Sequence, residues 1–341
     1  MESARLVAFG LDATMGAMAD DPGRPIDPFA ASNHLPWAEA PDRVRRWVED
    51  RTGSVIVDAR DLVGGFSPGP CAVLSLADGR SVFVKAVGGG LNPNAPEMHR
   101  REARVVAQLP RSSRWPELLG SYDDGAWVAL VYEVVAGTMP GHPWTESALE
   151  AVLEGLASLH EELTPCPVGG LETISTQFRW AFVGWHSLAG MATPPASLDE
   201  WTRRNLDRLA GAEAVGVVAV DQGDTLVHGD IRSDNLLLTE SSLVVVDWPH
   251  AAKGASVFDV LAWAASVTLE GGPEPDELLD RYRLKAGLDP DAITAVIAAL
   301  AGFFTYHGTL PVPPGLPTLR SFQEAQGAIA RSWLRHRTGW P

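Results

Sequence analysis

Residues 228–238 read HGDIRSDNLLL, and the reading of this stretch decides what the chain is. His228, Asp230 and Asn235 fall within eight positions, and a further acid, Asp247, closes the run LVVV at 243–246. Alone, His-x-Asp is the composition of a capped turn between two short strands. The alternative is a loop that holds an oxygen-liganded metal beside a reacting hydroxyl. A carboxylate at 230 and an amide at 235 are separated by a short loop, so one can meet a substrate while the other ligates Mg²⁺, with Asp247 as the second, charged ligand. The coincidence of His-Gly-Asp, Asn five residues later, a strand and Asp-Trp in one place favours the second reading.

Phosphoryl transfer also needs backbone amides around phosphates, a cation on the α- and β-phosphates, and a carboxylate to orient the attacking hydroxyl. Candidates for each lie upstream in chain order. The turn GGFSPGP (64–70) contains Gly64, Gly65 and Ser67, where the backbone can approach phosphates. A plain hairpin turn competes with this reading, because Pro68 and Pro70 stiffen it and lack amide donors. Lys85 follows in VFVKAV and is one of only three lysines, the others being Lys253 and Lys285, in a chain whose other basic residues are arginine. The two cations bind phosphate differently, so a lysine inside an apolar strand stands out; a solvent-facing position on an alternating strand is its other reading. Glu102, on the helix EMHRREARVV, is the expected partner of Lys85. Glu97 competes, and Glu102 is favoured because Val105 and Val106 turn that part of the helix inward. LVYEVVAG (130–137) resembles a hinge, an apolar strand ending in an acid and a glycine, and by this reading backbone groups of Glu133 and Val135 would face adenine.

The surrounding chain fits two lobes. At 341 residues it is long enough for two domains. Residues 1–39 form an N-terminal arm with little periodicity; 40–136 form a strand-rich N-lobe that binds nucleotide; 137–341 form a helix-rich C-lobe with the catalytic loop, metal and acceptor site. Val44, Trp47 and Val48 share one helical face that stops at Gly53, and Asp78-Gly79 is a hairpin signal. Thr145 caps a helix carrying Leu149, Val152, Leu153, Leu156 and Leu159, and DEWTRRNLDRLAGA reads as one later helix. The net charge of −16 argues against nucleic acid or an anionic membrane as the main partner. Most of the acidity falls in 138–341, where it serves solubility or attracts a cationic substrate. No apolar run approaches a membrane span, and the start lacks the pattern of a secretory signal. Cys71 and Cys166 are far apart and read as reduced, buried thiols of a cytoplasmic protein.

These residues together resemble the aminoglycoside phosphotransferase family, also called the choline-kinase-like kinases, which share the protein-kinase fold. The resemblance is carried by His228-Gly229-Asp230, Asn235, Val246-Asp247-Trp248, Lys85 with Glu102, and Leu159-His160, with Asp259 matching a structural acid, over roughly residues 40–335. It implies an α+β, bilobal protein-kinase-like fold, with an antiparallel sheet plus helix in the N-lobe and a mainly helical C-lobe. It further implies Asp230 as the catalytic base or hydroxyl-orienting group, Asn235 and Asp247 as Mg²⁺ ligands, and Lys85 on the phosphates of ATP or GTP under the hold of Glu102. His228 and Asp259 would support the loop. Gly229 is the small-molecule form of a position where protein kinases carry Arg, and the segment after Asp247 leaves little room for an activation loop. Arg232 either steadies the transferring phosphoryl group or pairs with Asp234.

The acceptor is expected to be a small molecule bearing a hydroxyl, such as an aminoglycoside or similar cationic antibiotic. A biosynthetic kinase acting on a metabolite or a peptide Ser/Thr is the alternative, and a nucleotide-binding pseudokinase scaffold is the third. Phe178, Trp180, Phe182, Trp185 and His186 are either a substrate wall or core. Oligomeric state stays open.

Overall fold

A computed structural model describes residues 34–62, 67–282, 288–312 and 318–341. Most of the N-terminal arm, 1–33, and the turn glycines Gly64 and Gly65 lie outside the described residues. The chain forms two compact units: residues up to Pro140 with Ser233–Pro249, and Gly141–Arg232 with His250–Pro341.

In the first unit, helix α1 (Asp42–Thr52) ends at Gly53, whose φ of 68° is the left-handed conformation of a glycine stop. Strands β1 (Ile56–Asp61), β2 (Cys71–Leu76) and β3 (Ser81–Gly88) follow, then helix α2 (Ala95–Val106), β4 (Leu118–Asp123) and β5 (Trp127–Glu133). The five strands make one antiparallel sheet in the order β1-β2-β3-β5-β4. Period-two alternation divides β3 between two faces. Val82, Val84 and Ala86 join Val44, Val48, Leu74 and Val131 in one core, which also takes in Trp37, 3% exposed. Phe83 and Lys85 therefore point to the other face, as do their cross-strand partners Tyr132 and Cys71.

The second unit opens with α3 (Glu146–Glu162), whose N-cap Thr145 accepts the Ala148 amide at 3.3 Å. The short helices α4 (Ile174–Gln177), α5 (Gly184–Ala189) and α6 (Glu200–Arg204) precede α7 (Leu206–Ala219) and strand β6 (Thr225–Val227). The expected single helix over 199–212 is broken at Asn205. The Asn205 side-chain amide donates to the Trp201 carbonyl at 3.0 Å, competing with the helical ladder there. The chain then returns to the first unit as the hairpin β7 (Leu236–Leu238) and β8 (Leu243–Val245). Back in the second unit, β9 (Ala252–Gly254) pairs antiparallel with β6, and helices α8 (Val257–Leu269), α9 (Pro275–Arg281), α10 (Pro290–Gly308) and α11 (Leu319–Thr338) complete it. Helix α10 is its central element, packed by α5, α7, α8 and α11. The contact with α5 is close because Gly184 has no side chain; a Cβ there would lie 2.0 Å from the Gly302 carbonyl oxygen. Among the described residues no helix is long and apolar enough to cross a membrane.

Candidate active site

In the first unit, the sheet face opposite α1 borders a cavity of about 300 Å³. Lys85 stands on its wall because of the β3 alternation. Its ammonium lies 2.5 Å from Glu102 Oε2 and 2.5 Å from Asp247 Oδ1, with only 13% of the side chain exposed. Burial alone would depress the ammonium, but the charges of Asp247 and then Glu102 outweigh it and hold Lys85 above the usual lysine range. Glu102 is pushed up by burial and partly drawn back by Lys85. Its second oxygen accepts the Tyr132 hydroxyl at 2.7 Å. Glu97 instead faces out, with Arg104 at 2.8 Å. The inward turn of α2 at Val105 and Val106, 2% and 7% exposed, puts Glu102 and not Glu97 against the sheet.

Asp247 owes its placement to an unusual backbone. Its φ is 71°, in the left-handed region that non-glycine residues occupy at a cost of about 1–2 kcal/mol. The next residue anchors it: Trp248 is 1% exposed, donates its indole N–H to the Val245 carbonyl at 3.1 Å, and meets Trp115 edge to face. One strand away, Asn235 closes a 3₁₀ turn (Ser233–Asn235) and is 4% exposed. Its carbonyl accepts the Val246 amide at 3.0 Å, so the hairpin holds Asn235 beside the Val246-Asp247 step. Both Asn235 and Asp247 line the cavity, as do Ser67, Glu133 and Val135. The Glu133 amide is already bonded to the Glu117 carbonyl at 3.1 Å.

The second unit holds Asp230 and Arg232, whose side chains approach to 3.5 Å. The loop carrying them is tied to Asp259, fully buried on α8. Its Oδ2 accepts the His228 amide at 2.8 Å and its Oδ1 the Gly229 amide at 2.7 Å. Asp259 is pushed up by burial, but hydrogen bonds donated by His160 and by the Gly229 amide outweigh this and hold it below the usual carboxylate range. Gly229 has φ 80°, and a Cβ there would lie 2.6 Å from the His250 carbonyl oxygen and 2.9 Å from the Phe178 ring. Glycine is thus required by the turn itself. Phe178, Phe182 and Trp185 are core, at 8%, 6% and 0% exposed, whereas Trp180 is 53% exposed, edge-on to Phe303 and His307.

Two cavity residues carry no motif in the sequence. Tyr132 was hidden in an apolar run, and the signal that would have found it is its register opposite Phe83 on the Lys85 face. Cys71 read only as a buried thiol, yet it lines the cavity directly across from Lys85.

The phosphotransferase enzyme family model, APH, matches residues 62–295. A thiamine kinase from Salmonella gallinarum is 27% identical over 228 residues, covering 63% of this chain and 72% of that protein. Among solved structures, a thermostable mutant of the aminoglycoside phosphotransferase APH(4)-Ia is similar with a TM-score of 0.55 at 15% identity, over 86% of this chain and 99% of that one. A choline/ethanolamine kinase family protein from Mesorhizobium loti is similar with a TM-score of 0.57 at 17% identity, over 83% and 90% respectively. The structural likenesses show a shared kinase-like fold, and the family model spans well over half of the sequence. The chain belongs to the APH phosphotransferase enzyme family and is a small-molecule phosphotransferase of protein-kinase-like, α+β fold.

Proposed function

We propose that the protein transfers the γ-phosphoryl group of ATP, or of GTP, to a hydroxyl of a small cationic molecule in the cytoplasm. The observation that carries this reading is Lys85, held between Glu102 and Asp247 at 2.5 Å from each on the wall of a cavity that Asn235 also lines. In this reading the cavity takes the nucleotide. Lys85 contacts the α- and β-phosphates under the hold of Glu102, and Ser67, which lines the same cavity, approaches them. The base lies against the Glu133–Val135 stretch, with the Val135 amide as donor because that of Glu133 is bonded to Glu117.

Mg²⁺ suits the residues present. Asn235 and Asp247 offer a neutral and a charged oxygen donor on one cavity wall, a set that leaves room for the phosphate and water ligands this ion prefers. Bound there, it would neutralise charge on the phosphates. Asp230 orients the acceptor hydroxyl and takes its proton as the oxygen bonds to the γ-phosphorus; the bond from that phosphorus to the β-phosphate oxygen breaks and releases ADP. Arg232, close to Asp230, would steady the charge on the transferring group.

Support for a cationic acceptor comes from the net charge of −16. It also comes from the relatives' names: thiamine kinase among the sequences, and among the structures an aminoglycoside phosphotransferase solved with ADP and hygromycin B. An antibiotic fits a resistance role and thiamine a metabolic one. Joint retention of Lys85, Asp230, Asn235 and Asp247 speaks against a pseudokinase scaffold.

The test is Asp230→Ala, assayed for ADP release with Mg²⁺-ATP and a panel of hydroxyl compounds that includes thiamine and aminoglycosides. Turnover should be lost while a non-hydrolysable ATP analogue still binds by calorimetry. Wild-type turnover in this variant would sink the reading.

A further inference from the structure

The residue roles proposed above leave Tyr282 unused. It follows α9, is 0% exposed, and brings its hydroxyl to 2.5 Å from His160 Nδ1, with the two rings edge to face. His160, 1% exposed on α3, turns its other nitrogen to Asp259 Oδ2 at 2.9 Å. The same Asp259 carboxylate clamps the His228 and Gly229 amides at 2.8 and 2.7 Å. The next residue is Asp230, whose own amide donates to His228 Nδ1 at 3.2 Å. A buried chain of hydrogen bonds thus runs from a tyrosine hydroxyl to the backbone of the carboxylate that would face the acceptor.

The positions of the protons give this chain a direction. An ionised carboxylate only accepts, so His160 Nε2 carries the proton it gives to Asp259. In the neutral ring the other nitrogen then presents a lone pair, and the Tyr282 hydroxyl is its donor. Without that hydroxyl the lone pair is left buried, a position the imidazole escapes only by rotating or by exchanging its nitrogens. Either movement withdraws the proton from Asp259 and loosens its grip on the 228–229 backbone.

We propose that Tyr282 is a positioning residue for phosphoryl transfer, holding the His160 ring in the tautomer and orientation with which Asp259 clamps the His228-Gly229 backbone and so aims Asp230. This rests on the reading of Asp230 as the hydroxyl-orienting carboxylate. Tyr282 touches neither nucleotide nor acceptor in this scheme, so its removal acts on the rate of the chemical step and not on nucleotide affinity.

The test compares full-length wild type, Tyr282→Phe and Ser266→Ala. Ser266 is 2% exposed and bonded to Gln326 at 2.8 Å, so its variant also loses a buried hydroxyl, but outside this chain of bonds. Each is assayed for ADP release from Mg²⁺-ATP, without acceptor and with thiamine or hygromycin B as probe, and for thermal unfolding. Tyr282→Phe should lower kcat by about tenfold, the scale of one lost buried hydrogen bond, with KM for ATP unchanged. Ser266→Ala should lose stability to a similar degree at wild-type kcat. The ¹⁵N signals of the His160 ring in the wild-type protein give a readout that needs no variant: the neutral form with its proton on Nε2 is expected, and a proton on Nδ1 would overturn the inference. An unchanged kcat in Tyr282→Phe, or a kcat loss that merely follows stability in both variants, would overturn it as well. Asp230→Ala run alongside separates the two failures. If that variant is inactive while Tyr282→Phe keeps full kcat, only the role of Tyr282 falls; if Asp230→Ala itself turns over normally, the underlying reading falls.

Discussion

The Tyr132 hydroxyl donates to Glu102 Oε1 at 2.7 Å, while the other oxygen of the same carboxylate holds Lys85 at 2.5 Å. Both oxygens of a residue only 2% exposed are thereby engaged, and the carboxylate has a fixed orientation toward the lysine. Replacing Tyr132 by Phe leaves Oε1 buried without this donor. The expected cost is about 1–3 kcal/mol of stability, measured by urea unfolding. Turnover should fall less than in Glu102→Gln, which discharges the partner of Lys85 itself. Equal losses in the two variants would show that the hydroxyl, not the charge, governs Lys85.

Asp247 combines a charge with a strained backbone, and the two separate by mutation. Asn tolerates φ near 71° better than other side chains, so Asp247→Asn should fold normally and lose roughly 10²-fold or more in kcat, the scale of one pre-placed electrostatic group. Asp247→Gly should be more stable than Asp247→Ala by about 1 kcal/mol or more, because only glycine is unstrained there. Equal unfolding midpoints for the Gly and Ala variants would remove the strain argument.

At the 228–230 turn, Gly229→Ala is expected to be damaging for two independent reasons, the φ of 80° and the 2.6 Å approach to the His250 carbonyl. Relief requires the 229–230 backbone to shift, which also pulls on the bonds to Asp259. A loss of about 2 kcal/mol or more is expected, together with turnover. A fully active, fully stable Gly229→Ala protein would contradict the geometry.

The Cys71 thiol lines the cavity, yet burial pushes it up to about 12, with the Lys85 charge opposing that shift. Reaction with iodoacetamide requires the thiolate. At pH 8 only about one Cys71 in 10⁴ carries it, so alkylation should be very slow and should quicken about tenfold per pH unit as long as the fold holds. Mass spectrometry after timed labelling checks this; rapid labelling of Cys71 at pH 8 would refute it.

Several features were legible in the sequence because they are local. Strand alternation around Lys85, the Asp78-Gly79 turn, the Gly53 stop and the Thr145 cap each depend on a few neighbouring residues, and the structure has all four. Glu102 was distinguishable from Glu97 because helical periodicity turns one inward with Val105 and Val106 and leaves the other with Arg104. The short pairing of β6 with β9 was not legible, since Thr225–Val227 and Ala252–Gly254 join segments 25 or more residues apart. Nor was the helix break at Asn205, whose side chain bonds both the Trp201 carbonyl and the carbonyl of Pro341, far along the chain.

By itself, the sequence determined the inventory of chemistry: HGDIRSDN with Asp247 downstream, and a strand lysine followed by a helix carboxylate. It did so because residue type and short spacing are properties of the chain alone. Only the tertiary structure decided that the hairpin at 233–249 joins the sheet-bearing unit and lays Asp247 against Lys85, 162 residues apart. Only it decided that Asp247 takes a left-handed φ, that Tyr132 fastens Glu102, and that Tyr282 closes on His160. Each of these depends on contacts between distant segments, its cost in strain or buried polarity being met by packing from elsewhere in the fold, and that balance has no local signature.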